Sequence, residues 1–490
     1  METLMMPGWD VQGSSLFGRT TDVRFSSGHD GDRQKGIYCR HGSISSKVRR
    51  RVMSDRGESE DEFFEANEEF SSSSSSKLEE GVKELSIAEK NAAIKAGCSM
   101  QLPCRQGGTA TVIADVHTGE EDDLEANIEG SKSVITHLLS QVRVGMDLTK
   151  VVLPTFILER RSMLEMYADF FAHADLFARI PEYDTPRERF IEVVRWYISS
   201  FHAGRRSSLA KKPYNPILGE TFQCMWDVPA THGVTESMLE NGPVAWAHEN
   251  SVSFIAEQVS HHPPVAAFYA EHPGKRVSCC AHIWTKSKFL GLSICAHLVG
   301  EGTLTDHVHN ETYRVTFPSA YARSILTTPW MEMGGKAEVT CEKSGLSASI
   351  EFICKPFVGG TRHRVTGELK DANEKKPFMS LDGLWNGVVN AKVGNQTSVF
   401  VDTTTMTTVP KLVRELESQA PTESRRLWKE VTANLPHNIT VATEAKVKLE
   451  EKQREEARTR KETGAVWKHK YFHGDVEHGF EFNHPLSARL

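Results

Sequence analysis

Between Val244 and Val401 the chain is a succession of short runs rich in β-branched and aromatic residues, and no other feature restricts its fold so much. The runs are Val252 to Val259, Val265 to Ala270, Val277 to Trp284, Tyr313 to Phe317, Ala337 to Cys341, Ala348 to Ile353, His363 to Leu369 and Ser380 to Trp385. Clusters of Gly, Pro, Asn or Asp separate most of them, and no long helical periodicity intervenes. Parallel strands need long crossover connections, usually helical. Turn-rich gaps without helical crossovers therefore predict an antiparallel sheet, closed or nearly closed, in a β-rich α+β domain. A sheet this large, once curled into a barrel, can enclose a ligand.

Helical patterns flank the sheet. Ile135, Leu138, Leu139 and Val142 recur at i, i+3, i+4, i+7, the spacing of a short amphipathic helix. A helical stretch is expected from Ser162 to Phe171. Another runs from Pro186 to His202, with Pro186 at its N-terminus and Phe190, Val193, Val194 and Tyr197 on one face. The last ninety residues return to helix. Thr443 to Glu462 is almost wholly charged and has no apolar stripe, as in a solvated helix laced with i, i+4 ion pairs.

Composition divides the chain near residue 130. Before it lie Gly, Ser and charged residues with few apolar clusters, including an unbroken serine run from Ser71 to Ser76. Such a segment buries too little apolar surface to offset the entropy of ordering, so residues 1–130 are expected to be largely disordered, with one weak helix around Leu78 to Ala96. No window approaches the ~18 apolar residues needed to cross a bilayer. Met1 to Arg50 has no apolar core behind a basic flank, so no signal peptide is expected. The nine cysteines are scattered without Cys-x-x-Cys spacing, as for reduced thiols in the cytosol. A net charge of −7 argues against a general nucleic-acid binder.

The sharpest local feature is Glu257-Gln258-Val259-Ser260-His261-His262-Pro263-Pro264. Proline cannot continue a central ladder, so the two histidines stand at a strand end. Adjacent imidazoles can donate to a phosphate. On these residues alone they can equally be structural, ligate a metal or act as a general base, although no further ligand stands at helical spacing.

That string resembles the signature of the oxysterol-binding-protein-related family. Three further blocks are similar to the family's: Lys211-Lys212-Pro213-Tyr214-Asn215-Pro216-Ile217-Leu218-Gly219-Glu220, Trp284-Thr285-Lys286-Ser287-Lys288-Phe289, and Leu449-Glu450-Glu451-Lys452-Gln453-Arg454. The resemblance covers Ser131 to Leu490. It implies an incomplete antiparallel β-barrel around a lipid tunnel, with a lid at about 131–152, a barrel core at about 210–405 and a helical region at about 410–490. Ile135, Leu138, Leu139 and Val142 become the lid's inner face. Lys212, His261, His262, Lys446, Glu450 and Arg454 match the positions that hold phosphatidylinositol 4-phosphate in relatives. The last three, at i, i+4, i+8, drift only ~40° per step and share one helix face. Two cations there can meet phosphates, while Glu450 accepts from inositol hydroxyls and orients Arg454.

The implied function is lipid exchange at membrane contact sites, without chemistry, cofactor or metal. The alternative is a phosphoinositide or sterol sensor that signals through a partner without net transport. For the second lipid, phosphatidylserine is favoured over sterol. Leu153-Pro154-Thr155 resembles the entry segment of the branch that carries serine lipids, and Asn215 and Ser287 match its other head-group contacts. Glu62-Phe63-Phe64-Glu65-Ala66-Asn67-Glu68, after the acidic run Glu58 to Asp61, resembles the "two phenylalanines in an acidic tract" (FFAT) motif. It implies binding to VAMP-associated proteins, and a cytosolic protein held peripherally at the endoplasmic reticulum. No pleckstrin-homology domain is expected in residues 1–130.

Overall fold

A computed structural model describes residues 99–104, 109–115, 144–146, 155–205, 210–228, 241–325, 329–356 and 358–490. All eight expected strand runs contain strands: the run at 252–259 is lengthened to Ser251–His261 and that at 277–284 to Val277–Phe289, while those at 313–317, 363–369 and 380–385 are shifted to Glu311–Val315, Arg364–Asp371 and Met379–Leu384. They belong to a sixteen-stranded sheet whose pairings are antiparallel. Its terminal strands, Ser99–Pro103 and Gln396–Asp402, stand at opposite ends of the strand order, so the sheet is an incomplete barrel.

Alternation along the strands builds two apolar faces. On Val277–Phe289, Cys279, Ala281 and Ile283 face the inner core, while Cys280 and Trp284 face outward. The inner face packs on the helix Pro186–Ala203. That helix starts in a capping box, Thr185 and Glu188 bonding each other's backbone N–H, with Pro186 at its first turn. Phe190, Val193, Val194, Tyr197 and Phe201 are its buried face, close to the expected set. Ahead of it the stretch expected at 162–171 forms the helix Met163–Ala168, capped by the Ser162 hydroxyl, and then a 3₁₀ turn, Asp169–Phe171.

Two expectations need correction. Residues before 130 do not all stay out of the fold: Ser99–Pro103 pairs with Thr109–Asp115, which pairs with Lys411–Arg414. Ala110 and Val112 supply the apolar alternation there, and Asp115 joins a buried charge network. In it Lys411 lies 2.8 Å from Asp169, 3.1 Å from Glu165 and 3.5 Å from Asp115. Composition averaged over 130 residues hides so short a pattern. Nor are the last ninety residues purely helical. The hairpin Phe472–Asp475 and Gly479–Phe482 lays Phe472, Phe480 and Phe482 over Ile255, Val259, Val265 and Tyr269 on the sheet's outer face. Among the described residues no helix is long and apolar enough to cross a membrane.

Candidate functional site

Three segments converge at one end of the sheet. The first is 212–220. Lys212 opens a three-residue strand paired in parallel with Leu158–Ser162. The chain then turns through Gly219, whose φ of 78° and contact with the Trp467 ring leave no room for a side chain. The Gly219 N–H donates to the Gln258 carbonyl (2.9 Å), and the Gln258 N–H donates to that of Glu220 (2.9 Å), fixing the turn to the histidine-bearing strand. The Glu220 carboxylate is buried and accepts from the Ser162 hydroxyl, Ser424 Oγ (2.7 Å), Trp428 Nε1 (2.9 Å) and the Ile217 N–H (3.0 Å). Burial raises its pKa, and these four donors oppose the rise.

The second segment is the strand end Ser251–His261 with the turn to Pro264, across a cis His262–Pro263 bond. His262 is exposed, its ring edge-on to that of His261 at 4.6 Å between centroids. Burial, and then the charge of His262, push His261 down to about 4, so it is neutral at pH 7. Glu257, which opens the signature string, faces away from this pair. Its buried carboxylate accepts from the Lys470 and Tyr471 N–H groups, each at 2.8 Å, and so serves the fold.

The third segment is the helix Ile439–Thr463, capped by the Asn438 side chain at its start and Gly464 in left-handed conformation at its end. Lys446 Nζ stands 2.8 Å from Glu450, and Arg454 lies 3.7 Å from the same carboxylate. The i, i+4, i+8 face is thus real, with Glu450 between two cations. Lys212, half-buried, has its pKa lowered first by burial and then by the charge of Lys446; Glu450 offsets part of this. An anion beside Lys212 would favour its charged form.

Sequence reasoning missed the residue that links the three segments. Gln453 is buried on a helix otherwise largely exposed. Its Oε1 accepts from the Leu218 N–H at 2.8 Å, which leaves Nε2 to face His261 Nε2 at 2.6 Å. An amide nitrogen can only donate, so His261 Nε2 is the acceptor and its proton sits on Nδ1. The carbonyl-to-amide bridge therefore sets the tautomer of His261 as well as its position. In sequence the only signal was a lone amide in a run of charges.

The remaining expected residues are more dispersed. Thr155 is buried with its hydroxyl 2.9 Å from that of Thr443, one turn before Lys446. Asn215 is exposed beside Tyr214, whose ring stacks on Trp428. Ser287 is half-buried opposite Ala296, on the strand face that carries Ile283 inward; among the described residues it makes no hydrogen bond to Lys212 or the histidines. Leu153, the lid residues Ile135, Leu138, Leu139 and Val142, and the motif residues Glu62, Phe63, Phe64, Glu65, Ala66 and Glu68 lie outside the described residues. A recess of about 420 Å³ opens elsewhere, between Arg160, Ser162, Tyr214 and Trp428. Of the cations that line it, Arg161 is bound to Asp169, Arg425 to Asp115 and Glu165, and Arg414 to Glu423, so it is a seam in the charge network.

Residues 137–440 match the family model described as oxysterol-binding protein. The chain is 51% identical over 445 residues to oxysterol-binding protein-related protein 9 of Mus musculus, covering 88% of this chain and 60% of that protein. It is 49% identical over 394 residues to the human oxysterol-binding protein-related protein 11, covering 76% and 52%. The chain thus spans little more than half the length of these relatives. Among solved structures it is similar to the Osh1 ORD domain in complex with cholesterol, with a TM-score of 0.57 and 21% identity over 76% of this chain and 90% of that one. The Osh3 ORD of Saccharomyces cerevisiae in complex with PI(4)P gives a TM-score of 0.52 and 20% identity, covering 73% and 91%. At such identities the likeness concerns the fold.

Proposed function

Because the chain belongs to the oxysterol-binding protein family, we propose that it exchanges phosphatidylinositol 4-phosphate for a second lipid between membranes, without chemical turnover. The observation that carries this reading is the cation cluster. Burial and then the charge of Lys446 lower the Lys212 pKa, Lys446 and Arg454 share the Glu450 carboxylate, and Gln453 of the same helix meets His261. An inositol phosphate supplies the anionic charge these groups lack, and its hydroxyls suit the Glu450 carboxylate. The sheet's inner face is apolar, as acyl chains require.

Phosphatidylserine is our choice for the second lipid. Ser287 lies on the inward-facing side of its strand, and Thr155 sits one turn from Lys446, so donors for a carboxylate and a phosphate stand near an apolar wall. Sterol is the second reading, favoured by the fold's likeness to the cholesterol-bound Osh1 domain. With both lipids offered in donor vesicles, we expect phosphatidylserine to move against a phosphatidylinositol 4-phosphate gradient and Ser287→Ala to slow it several-fold. Sterol transfer alone, or an unaffected Ser287→Ala variant, overturns the choice.

Residues 62–68 would hold the protein at the endoplasmic reticulum through VAMP-associated proteins, acidic residues steering the approach and a phenylalanine ring filling a pocket. Phe63→Ala with Phe64→Ala is expected to abolish that binding in a pull-down and leave lipid binding in vitro unchanged. A pull-down unaltered by the double substitution refutes the tether.

A further inference from the structure

We infer that the tip of the hairpin between Val277–Phe289 and Ser293–Asp306, together with residues 144–146, is a wedge that inserts into the surface of an anionic phospholipid bilayer. The inference rests on the lipid-exchange reading, which requires the protein to meet membranes, and it says which surface meets them.

Four large apolar side chains gather there in the open: Val144 is 74% exposed, Leu292 59%, Leu290 44% and Met146 39%. Backbone bonds hold the two segments together. The Gly145 N–H donates to the Phe289 carbonyl at 2.7 Å, and the Phe289 N–H to that of Met146 at 3.0 Å. The turn closes with the Leu290 N–H on the Ser293 carbonyl at 2.8 Å and Gly291 at a φ of 88°. Val144 lies against Gly291, where a Cβ would be 3.7 Å from its Cγ2. Beneath the tip Phe289 and Ile325 are buried with Ile294 and Ala322 packed on them, a small apolar base separate from the main core. The exposed leucines thus sit on an anchored support. An exposed apolar cluster of this kind marks an interaction surface.

Its shape and charge select a bilayer. The cluster is the projecting end of a hairpin, whereas small-molecule sites are concave. Lys286 and Lys288 are exposed just behind it, and neither pairs with a carboxylate among the described residues; Lys286 rests over the Trp284 ring at 4.3 Å. Lysines behind an apolar tip reach lipid phosphates while their stems follow the apolar surface. The register places the wedge at the lipid site's end of the sheet. His261 pairs with Pro264, and Val265 with Trp284, so the histidine turn is level with Thr285. The Val277–Phe289 strand continues past that level, carrying Leu290 about 16 Å further along the strand direction at ~3.3 Å per residue.

The test is flotation of the full chain with vesicles of phosphatidylcholine, with and without phosphatidylserine. Leu290→Ser with Leu292→Ser should lower binding to both by at least about tenfold, the order expected when two leucine contacts with lipid are lost. Lys286→Glu with Lys288→Glu should lower it only where anionic lipid is present. The indole of a Leu292→Trp variant should shift blue on vesicles and be quenched by brominated acyl chains. Binding of water-soluble, short-chain phosphatidylinositol 4-phosphate should be unchanged in all of them. Vesicle binding unaltered by the double leucine variant, or an indole that brominated lipid does not quench while the protein is bound, overturns the wedge. A parent protein that does not bind the short-chain lipid overturns the exchange reading and leaves the insertion result standing by itself.

Discussion

Replacing His261 and His262 together with alanine should abolish extraction of phosphatidylinositol 4-phosphate from vesicles while the fold survives. Hydrogen bonds to a charged phosphate are each worth about 1.5–3 kcal/mol, and a factor of ten corresponds to about 1.4 kcal/mol, so losing two should weaken binding about a hundredfold or more. The fold should tolerate the change. His262 is exposed, and His261 Nε2 meets the Gln453 amide, whose other end stays bonded to Leu218. The geometry adds a condition: His261 Nε2 is occupied by Gln453, so a phosphate is met by the Nδ1–H of that ring, or at Nε2 only by displacing the amide. Gln453→Leu should therefore change extraction as well. The double variant is checked by vesicle extraction with thermal melting alongside. Extraction at the parent rate from a protein that melts normally refutes the head-group assignment.

Glu220→Ala should be the most destabilising single change at this end of the molecule. It deletes the acceptor for four donors at once, three of them buried, and each buried donor left unsatisfied costs about 1–3 kcal/mol. A loss of about 4 kcal/mol or more lies in the tail of single substitutions. Glu220→Gln should recover little, because an amide keeps one acceptor oxygen and turns a donor toward donors. Ser424→Ala leaves the carboxylate its other three donors and should cost about 1 kcal/mol. The consequence reaches the site, because the carboxylate fixes Ile217, the neighbour of the Leu218 that positions Gln453. The expected readout is a melting temperature lowered by many degrees, or protein recovered only in the insoluble fraction. A Glu220→Ala protein melting within a degree of the parent contradicts this account.

What could be read from sequence was whatever local periodicity controls. Strands betrayed themselves by alternation, and the Lys446, Glu450 and Arg454 face follows from 100° per residue without tertiary information. The histidine pair was found through its resemblance to a family signature; its protonation was hidden, because burial by distant segments sets it. Gln453 was hidden for the same reason, as its two partners are 235 and 192 residues away. The strands at 99–115 and the C-terminal hairpin are short runs in segments of polar composition, and they are held by pairing and packing with elements far along the chain.

That long-range pairing has a consequence for the order of assembly. From Ser251–His261 to Ser293–Asp306 each strand pairs with its successor, so this part of the sheet can zip up hairpin by hairpin as the chain leaves the ribosome. The opposite margin cannot. Thr109–Asp115 finds its inner neighbour only in Lys411–Arg414, which also pairs with Thr221–Asp227. Roughly 300 residues must be synthesised between those partners, the kind of non-local contact that forms late and slowly. Until residue 411 emerges, the nascent sheet has a bare margin beside Thr221–Asp227, and the strand that closes it arrives as a single wedge between two waiting neighbours.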